Sequence, residues 1–183
     1  MLGMLLPGMA QNVKTTFQTS SHWKPTIDVR ADAVMVYGTG SSPQISFQER
    51  VDSWRKQRYI THFMTGIAWG GYSDYFTGKW DGKQHMDEGQ KDMKGDTIVH
   101  NPGTPYIVPT LNYLKYFKET QIKPVIDAGI REIFLEEPEF WAFAGYSESF
   151  KREWQDYYGF PWRAQHLSAE NTYLSNKLKY HLY

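Results

Sequence analysis

The sequence predicts an α/β fold built on a parallel sheet. Short apolar runs, such as Asp32–Gly38 and Ile130–Leu135, alternate with segments whose apolar residues repeat at helical spacing. Four strand-and-helix units of this kind form either a small doubly wound sheet or half of an eight-stranded (β/α)8 TIM barrel, which needs about 250 residues. With 183 residues the chain is too short for the whole barrel. We therefore expect a partial TIM barrel, of about the first four units, over residues 26–183.

Residues 1–25 are expected to lie outside this sheet. Met1–Ala10 is apolar and ends in small residues, which is typical of the end of a secretory signal and indicates a secreted or periplasmic protein. The alternative is a frayed apolar N-terminus. This stretch is too short to span a bilayer. Gln11–Pro25 is polar and lacks periodicity, so we predict a signal remnant followed by a linker-like arm.

The first predicted unit is strand, helix, strand. Asp32–Gly38 has the form of a buried parallel strand, and Ser46–Gln57 carries apolar residues at helical spacing. Tyr59–Trp69 is the second predicted strand. It opens into a long loop rich in glycine and aromatic residues, Gly70–Pro105, and loops of such length are usually functional or disordered.

The remaining predicted elements follow in the same alternation. Tyr106–Thr110 is the third predicted strand, and a helix from Leu111, restarting near Pro124, ends before Gly129 at the left-handed C′ position. Then come a fourth strand, Ile130–Leu135, a helix between Ser147 and Gly159, and a last helix that begins at Ser168.

Composition restricts the classes of function. Twenty Lys and Arg balance twenty Asp and Glu, which gives no electrostatic argument for nucleic acid or an anionic membrane as partner. The absence of cysteine excludes a disulfide framework and thiolate metal sites. No cofactor or metal site is predicted. Around His85, Asp87 and Glu88 the spacing matches no established metal motif, so we expect a solvated acidic turn there.

The densest chemical signal is an acidic cluster at the end of the fourth predicted strand. Glu136, Glu137 and Glu139 repel one another, which should raise the pKa of at least one of them. A carboxylic acid that stays protonated near neutral pH is the general acid of glycoside cleavage. Strand alternation separates Glu136 from Glu137, and we expect Glu137, before Pro138, to face the barrel centre.

The alternative to a catalytic cluster is an ordinary acidic turn. In that interpretation the glutamates cap backbone amides or pair with Arg131 and Arg152.

The Glu137-Pro138 step resembles the Asn-Glu-Pro signature of retaining glycoside hydrolases of the (β/α)8 superfamily, including β-galactosidase-type enzymes. The resemblance implies hydrolysis of O-glycosyl bonds in a poly- or oligosaccharide, with Glu137 as acid/base. Glu136 stands where that family has the asparagine that binds the sugar 2-hydroxyl. In the family the nucleophile comes from a later strand. The resemblance therefore implies an N-terminal half whose partner is the missing C-terminal half of the barrel, inactive alone.

Aromatic and polar residues near the predicted strand ends are candidates for binding the carbohydrate. Sugar rings present apolar faces to aromatic rings, while carboxylates and imidazoles bind hydroxyl groups. Trp80 and Asp81 are expected to act as a stacking and hydrogen-bonding pair, unless the loop packs on its own aromatic cluster. His62 is more typical of a core residue. The candidates for substrate binding are Tyr37, His62, Trp69, Trp80, Asp81, Glu139 and Trp141.

Two other functions remain open on the sequence. One is a non-catalytic carbohydrate-binding or surface protein that keeps the aromatic loop and uses the glutamates structurally. The other is a small doubly wound domain that binds a phosphorylated ligand through Gly38–Ser42, although this turn lacks the lysine and the full glycine pattern of known phosphate loops.

Overall fold

The computed structural model describes residues 12–40, 44–70 and 72–183. The predicted signal over Met1–Ala10 lies outside the described residues. The chain folds as a mixed α/β protein with six strands in the described part. They are β1 (Thr16–Thr19), β2 (Ala33–Tyr37), β3 (Ile60–Gly66), β4 (Val99–Asn101), β5 (Thr104–Pro105) and β6 (Ile133–Glu136).

Strands β1, β2, β3 and β6 form one parallel sheet in that spatial order. Strand β1 corrects the prediction of a linker over 11–25. Thr16 and Gln18 are exposed and only Phe17 packs against the core, so one apolar position was too weak a sequence signal. The predicted strands at 32–38, 59–69 and 130–135 are confirmed as β2, β3 and β6, with shorter bounds.

The helices of the described residues are α1 (Phe47–Lys56), α2 (Ser73–Phe76), α3 (Leu111–Phe117), α4 (Lys123–Asp127), α5 (Glu148–Tyr158) and α6 (Ala169–Leu182). A π-helical segment, Lys118–Ile122, joins α3 to α4 where a break near Pro124 was predicted. Ser147 and Ser168 cap α5 and α6 as expected, and Ser46 caps α1. None of the helices in the described ranges is long and apolar enough to cross a membrane.

The crossover helices α1 and α4 pack on the same face of the sheet. Trp54 of α1 and Val125 of α4 are fully buried in one cluster with Val34 of β2 and Phe63 of β3. Burial of these side chains stabilises each by about 1.5–3 kcal/mol relative to exposure. We call this side of the sheet the helix face.

The opposite side, here called the open face, carries the alternate strand residues. Met35, Met64 and Phe134 point to this side, since strand side chains alternate and the neighbours Val34, Phe63 and Ile133 contribute to the helix face. Phe134 is 42% exposed. None of the three residues belongs to a buried cluster formed by the described residues.

The predicted third strand, 106–110, is wrong. Strands β4 and β5 instead form an antiparallel pair, and Ile107 makes only an isolated bridge to Gly89. Ile107 and Val108 are buried by two smaller clusters beyond the sheet, one aromatic around α2 and α3 and one around α5 and α6. An apolar run of five residues indicates burial but does not distinguish a sheet strand from a buried connection.

Candidate functional site

The acidic cluster lies at the carboxyl end of β6. Glu136 pairs in register with Gly66 and continues the open face after Phe134. Glu137 has a φ of 51°, in the left-handed region, so strand alternation stops before it. The prediction that Glu137 shares a face with Ile133 and Leu135 is therefore wrong, because alternation holds only for extended backbone.

Trp69 connects the end of β3 to this corner. Its indole Nε1 donates a hydrogen bond to the Glu137 carboxylate. The turn that delivers Trp69 requires Gly66, since a Cβ there would lie 2.6 Å from the Trp69 carbonyl oxygen. The indole also stacks on His100 of β4, with ring centroids 3.8 Å apart and an interplanar angle of 2°. Two separate loops thus present an aromatic pair to an exposed glutamate.

Tyr106 extends this aromatic group toward Glu139 and Trp141. Its hydroxyl lies 3.2 Å from His100 Nδ1, and its ring contacts the Trp141 ring edge-on at 5.6 Å between centroids. Burial, and then a hydrogen bond to Glu139, raise the pKa of Tyr106 above its usual value. Four predicted site residues, Trp69, Glu137, Glu139 and Trp141, are thereby brought together around two that were not predicted, His100 and Tyr106.

Gln90 fixes the loop that follows Glu137. It is fully buried, and its Nε2 donates to the carbonyl oxygens of Ile107 and Glu139 at 2.9 and 2.8 Å. Its Oε1 accepts from the Trp141 backbone N–H at 3.1 Å. These bonds satisfy otherwise buried backbone groups and tie the acidic loop to the chain segment under it.

Tyr37 meets Glu136 on the open face. Burial raises the pKa of the Tyr37 hydroxyl well above its usual value, and a hydrogen bond to Glu136 raises it further. The hydroxyl therefore stays protonated and faces the carboxylate. Tyr37 and Trp69 hold the two neighbouring glutamates from different strands.

A cleft of about 870 Å³ borders both pairs at the carboxyl ends of β1, β2 and β3. Tyr37 and Trp69 line it, although Glu136 and Glu137 do not. Its other walls come from the loops after these strands, from β4 and from the π segment, with Gln44, Asp74, Asn101 and Gln121 among the lining residues. In parallel α/β sheets the carboxyl ends of the strands are where ligands bind.

Arg50 of α1 shapes the floor of the cleft. It is 5% exposed and donates to four carbonyl oxygens, those of Ser20, Tyr37, Gly38 and Gly40, at 2.7–3.0 Å. Burial lowers the pKa of its guanidinium. Its contacts hold the turns after β1 and β2 together rather than leaving hydrogen-bond donors for a ligand.

Trp80 and Asp81 lie outside the group around Glu137. Trp80 packs in the aromatic cluster and its Nε1 donates to Glu119 at 3.0 Å. Asp81 bonds to His85, whose Nε2 lies 3.1 Å from both carboxylate oxygens. The loop therefore packs on its own aromatic cluster, which was the alternative on the sequence, and neither residue lines the cleft.

The predicted solvated turn around His85 is wrong for Glu88. Glu88 is 2% exposed and accepts hydrogen bonds from Tyr75, Thr110 and Asn112. Within the described ranges no group of three His, Cys, Asp or Glu residues is placed to hold a metal ion. This network is a buried hydrogen-bonded support for the loop.

His62 is buried in the middle of β3 on the open face. Its Nε2 lies 3.2 Å from Glu132, and its ring stacks on Phe134 at 5.7 Å. Its Nδ1 is buried without a hydrogen-bond partner among the described atoms. His62 thus lies in the sheet, opposite Met35, rather than at the strand ends where the cleft opens.

Comparison with known proteins gave no match among family models, curated proteins or solved structures.

Proposed function

We propose that the chain is part of a (β/α)8-barrel glycoside hydrolase in which Glu137 is the general acid/base. The observation that carries this proposal is the pairing of Glu137 with Trp69, a residue that also lines the cleft at the strand ends. An exposed carboxylate beside an aromatic ring and a polar cleft supplies one of the two carboxylates that glycoside hydrolysis requires, next to a surface suited to a sugar.

The sheet topology supports a barrel over a doubly wound sheet. The four parallel strands follow one another in chain order, and both crossover helices pack on one face. A doubly wound sheet reverses its strand order and carries helices on both faces. In a barrel the face opposite the helices becomes the interior, so Met35, Met64 and Phe134 would be covered by further strands. The missing half of the barrel is part of this proposal.

Glu137 would act on the glycosidic oxygen. As the C1–O bond breaks, the Glu137 carboxyl proton passes to the leaving-group oxygen, and a second carboxylate attacks C1 in a retaining enzyme. Water, deprotonated by Glu137, then attacks C1 and releases the sugar while the second carboxylate leaves. In this proposal that nucleophile comes from a later strand, as in the family that the Glu137-Pro138 step resembles.

Glu136 would bind substrate rather than transfer a proton. It lies on the open face and accepts from the protonated Tyr37 hydroxyl, which leaves other carboxylate lone pairs for a sugar hydroxyl. This position corresponds to the asparagine of the family signature. A secreted or periplasmic location, proposed from residues 1–10, suits a polysaccharide substrate.

A non-catalytic carbohydrate-binding protein is the second candidate. The described residues form the walls of the cleft, but only one of the two catalytic carboxylates, Glu137, is found among them in the proposal. A complete cleft without a complete pair of carboxylates favours binding without catalysis. In that case the Trp69–Glu137 bond serves only to hold the loop.

Hydrolysis of a panel of aryl glycosides by the product of the whole reading frame tests the proposal. Glu137→Gln should reduce kcat by three orders of magnitude or more, since it removes the transferable proton. Glu170→Gln, on the exposed surface of α6, is the matched control and should retain full activity. Unchanged turnover in Glu137→Gln contradicts the assignment, and oligosaccharide binding without any hydrolysis favours the second candidate.

A further inference from the structure

The cleft beside Tyr37 and Trp69 has a composition that indicates the class of ligand. It is lined mainly by hydroxyl, amide and aromatic side chains, and it extends from the glutamates across the loops after β1 and β2. We propose that this cleft binds several units of an uncharged oligosaccharide and that it excludes acidic and phosphorylated sugars. The inference rests on the proposed function, whose substrate it specifies.

The cleft offers few cationic hydrogen-bond donors to a ligand. Arg50 lines it, but its terminal nitrogens donate to four backbone carbonyl oxygens, and its Nε, which has no hydrogen-bond partner among the described atoms, is inaccessible to solvent. Lys24 is exposed at the margin, and Asp74 contributes a negative charge, with Oδ1 accepting from Tyr116 at 3.0 Å. Recognition of phosphate or carboxylate relies on available Arg and Lys donors. His22 also lines the cleft, but one exposed lysine and one half-buried histidine opposed by one aspartate do not supply them.

A helix N-terminus is the backbone feature that most often binds phosphate. The N-terminus of α1 follows the turn after β2 and would be the natural phosphate site. Glu49 already occupies it: its carboxylate accepts from the Ser46 backbone N–H at 2.8 Å, and the Ser46 hydroxyl accepts from the Glu49 backbone N–H. A phosphate there would face a carboxylate. The geometry therefore argues against the phosphorylated ligand that the Gly38–Ser42 turn had left open.

Hydroxyl and amide side chains form a polar wall of the cleft. The π segment between α3 and α4 brings Thr120 and Gln121 to the cleft, and such π turns occur frequently at functional sites. Thr39 donates to the Thr120 carbonyl oxygen and to Gln121 Oε1, at 3.0 and 2.9 Å. Strand β4 contributes Asn101 to the lining. Amide side chains are suited to neutral hydroxyl groups, because each supplies both donors and acceptors.

The volume of the cleft also bears on the length of the ligand. The volume of about 870 Å³ lies near the upper end of the roughly 300–1,000 Å³ range of small-molecule sites. Tyr37 and Trp69 lie at the end of this cleft nearest the glutamates. A sugar cleaved at Glu137 would therefore be one unit of a longer chain, the rest of which occupies the cleft.

The test is calorimetric binding to the Glu137→Gln variant of the full chain, which prevents turnover. The probes are cellohexaose, xylohexaose and mannohexaose as neutral chains, hexagalacturonic acid as an acidic chain, and glucose 6-phosphate. We expect one neutral hexamer to bind at least tenfold more tightly than its trimer and than either anionic probe. Asn101→Ala and Gln44→Ala should each weaken it about fivefold or more, whereas Gln48→Ala, on the exposed side of α1, should not.

Tighter binding of an anionic probe, no binding of any neutral hexamer, or affinities unchanged in both cleft variants would overturn the inference. Melting temperatures within about 2 °C of the parent verify that the variants are folded. If aryl glycosides are hydrolysed in a Glu137-dependent way but neither cleft substitution changes hexamer binding, only the assignment of the cleft as the oligosaccharide site is refuted. If a neutral hexamer binds, the cleft substitutions weaken its binding, and no glycoside is hydrolysed, the proposed reaction is refuted while the cleft assignment stands.

Discussion

The indole N–H of Trp69 donates a hydrogen bond to the carboxylate of Glu137, although 68 residues separate the two in the chain. The contact joins the ends of two adjacent parallel strands, β3 and β6. It orients a glutamate that would otherwise be free on an exposed corner.

Removing only the indole N–H should impair the orientation of Glu137. Trp69→Phe keeps an aromatic ring against His100 but removes the donor, so kcat should fall roughly tenfold with a smaller change in KM. Trp23→Phe is the matched control, because the Trp23 indole N–H donates to Asp28 at 3.2 Å. Steady-state kinetics of both variants decide the matter. Equal kcat in wild type and Trp69→Phe would refute the orienting role.

The left-handed backbone of Glu137 predicts a trade-off between stability and function. A non-glycine residue there costs about 1–3 kcal/mol, so Glu137→Gly should raise the free energy of unfolding by up to about 1 kcal/mol while abolishing activity. Arg58 also has positive φ, at 69°, and Arg58→Gly should stabilise similarly without loss of activity. Urea denaturation measures both. Because Glu137→Gly also loses the hydrogen bond from Trp69, a destabilised Arg58→Gly is the result that would contradict the strain.

Gln90 is predicted to be essential to the fold of the acidic loop. Gln90→Leu preserves volume but leaves the Glu139 carbonyl oxygen and the Trp141 N–H without their partner, at a cost of about 2–4 kcal/mol in unfolding free energy. Gln48→Leu, which removes an exposed side-chain bond to Asp52, should change stability by less than about 0.5 kcal/mol. Similar stabilities of the two variants in denaturant titrations would contradict this role.

Lys179 predicts a pH-dependent stability. Burial lowers the pKa of its ammonium from 10.5 to about 8, and among the described residues Nζ donates to Ala142 O and Gln165 Oε1. The unfolded chain therefore binds more protons between pH 8 and 10.5, so stability rises with pH across that window, and this gain is lost again as the pH falls from 10.5 to 8. From pH 7 to 9.5 wild type should gain about 1–2 kcal/mol relative to Lys179→Met. A constant difference across this range would argue against the depressed pKa.

Local signals predicted much of the helical structure. Ser46 and Glu49 form the capping box that begins α1, and Gly129 takes the left-handed position after α4, with φ of 76°. Both depend on residues within a few positions of each other, so a single sequence contains the information. The same holds for the short apolar strands β2 and β3.

Non-local pairing limited the rest. Strand β1 has a single residue, Phe17, against the core, and it exists because β2 offers a parallel edge. The run 106–110 is buried by side chains of α2, α3, α5 and α6, which no local period shows. Both errors concern which surface covers a segment, rather than whether the segment is apolar.

The candidate site was predicted by residue type and not by geometry. The Glu-Glu-Pro-Glu run indicated the corner, but the positive φ of Glu137 reversed which glutamate lies on the open face. His100 had no motif to mark it, and it joins the site because β4 brings it over Trp69. Gln90 and Arg50 are buried polar residues, and only their partners reveal their roles.

The central claim is that Glu137 donates the proton to the leaving group. The dependence of Glu137→Ala on leaving-group acidity tests it most directly, with phenyl and 2,4-dinitrophenyl glycosides of the preferred sugar as substrates. Because dinitrophenolate departs without protonation, we predict a loss in kcat/KM of three orders of magnitude or more for the phenyl glycoside and less than about tenfold for the dinitrophenyl glycoside. An equal loss for both substrates would contradict the claim.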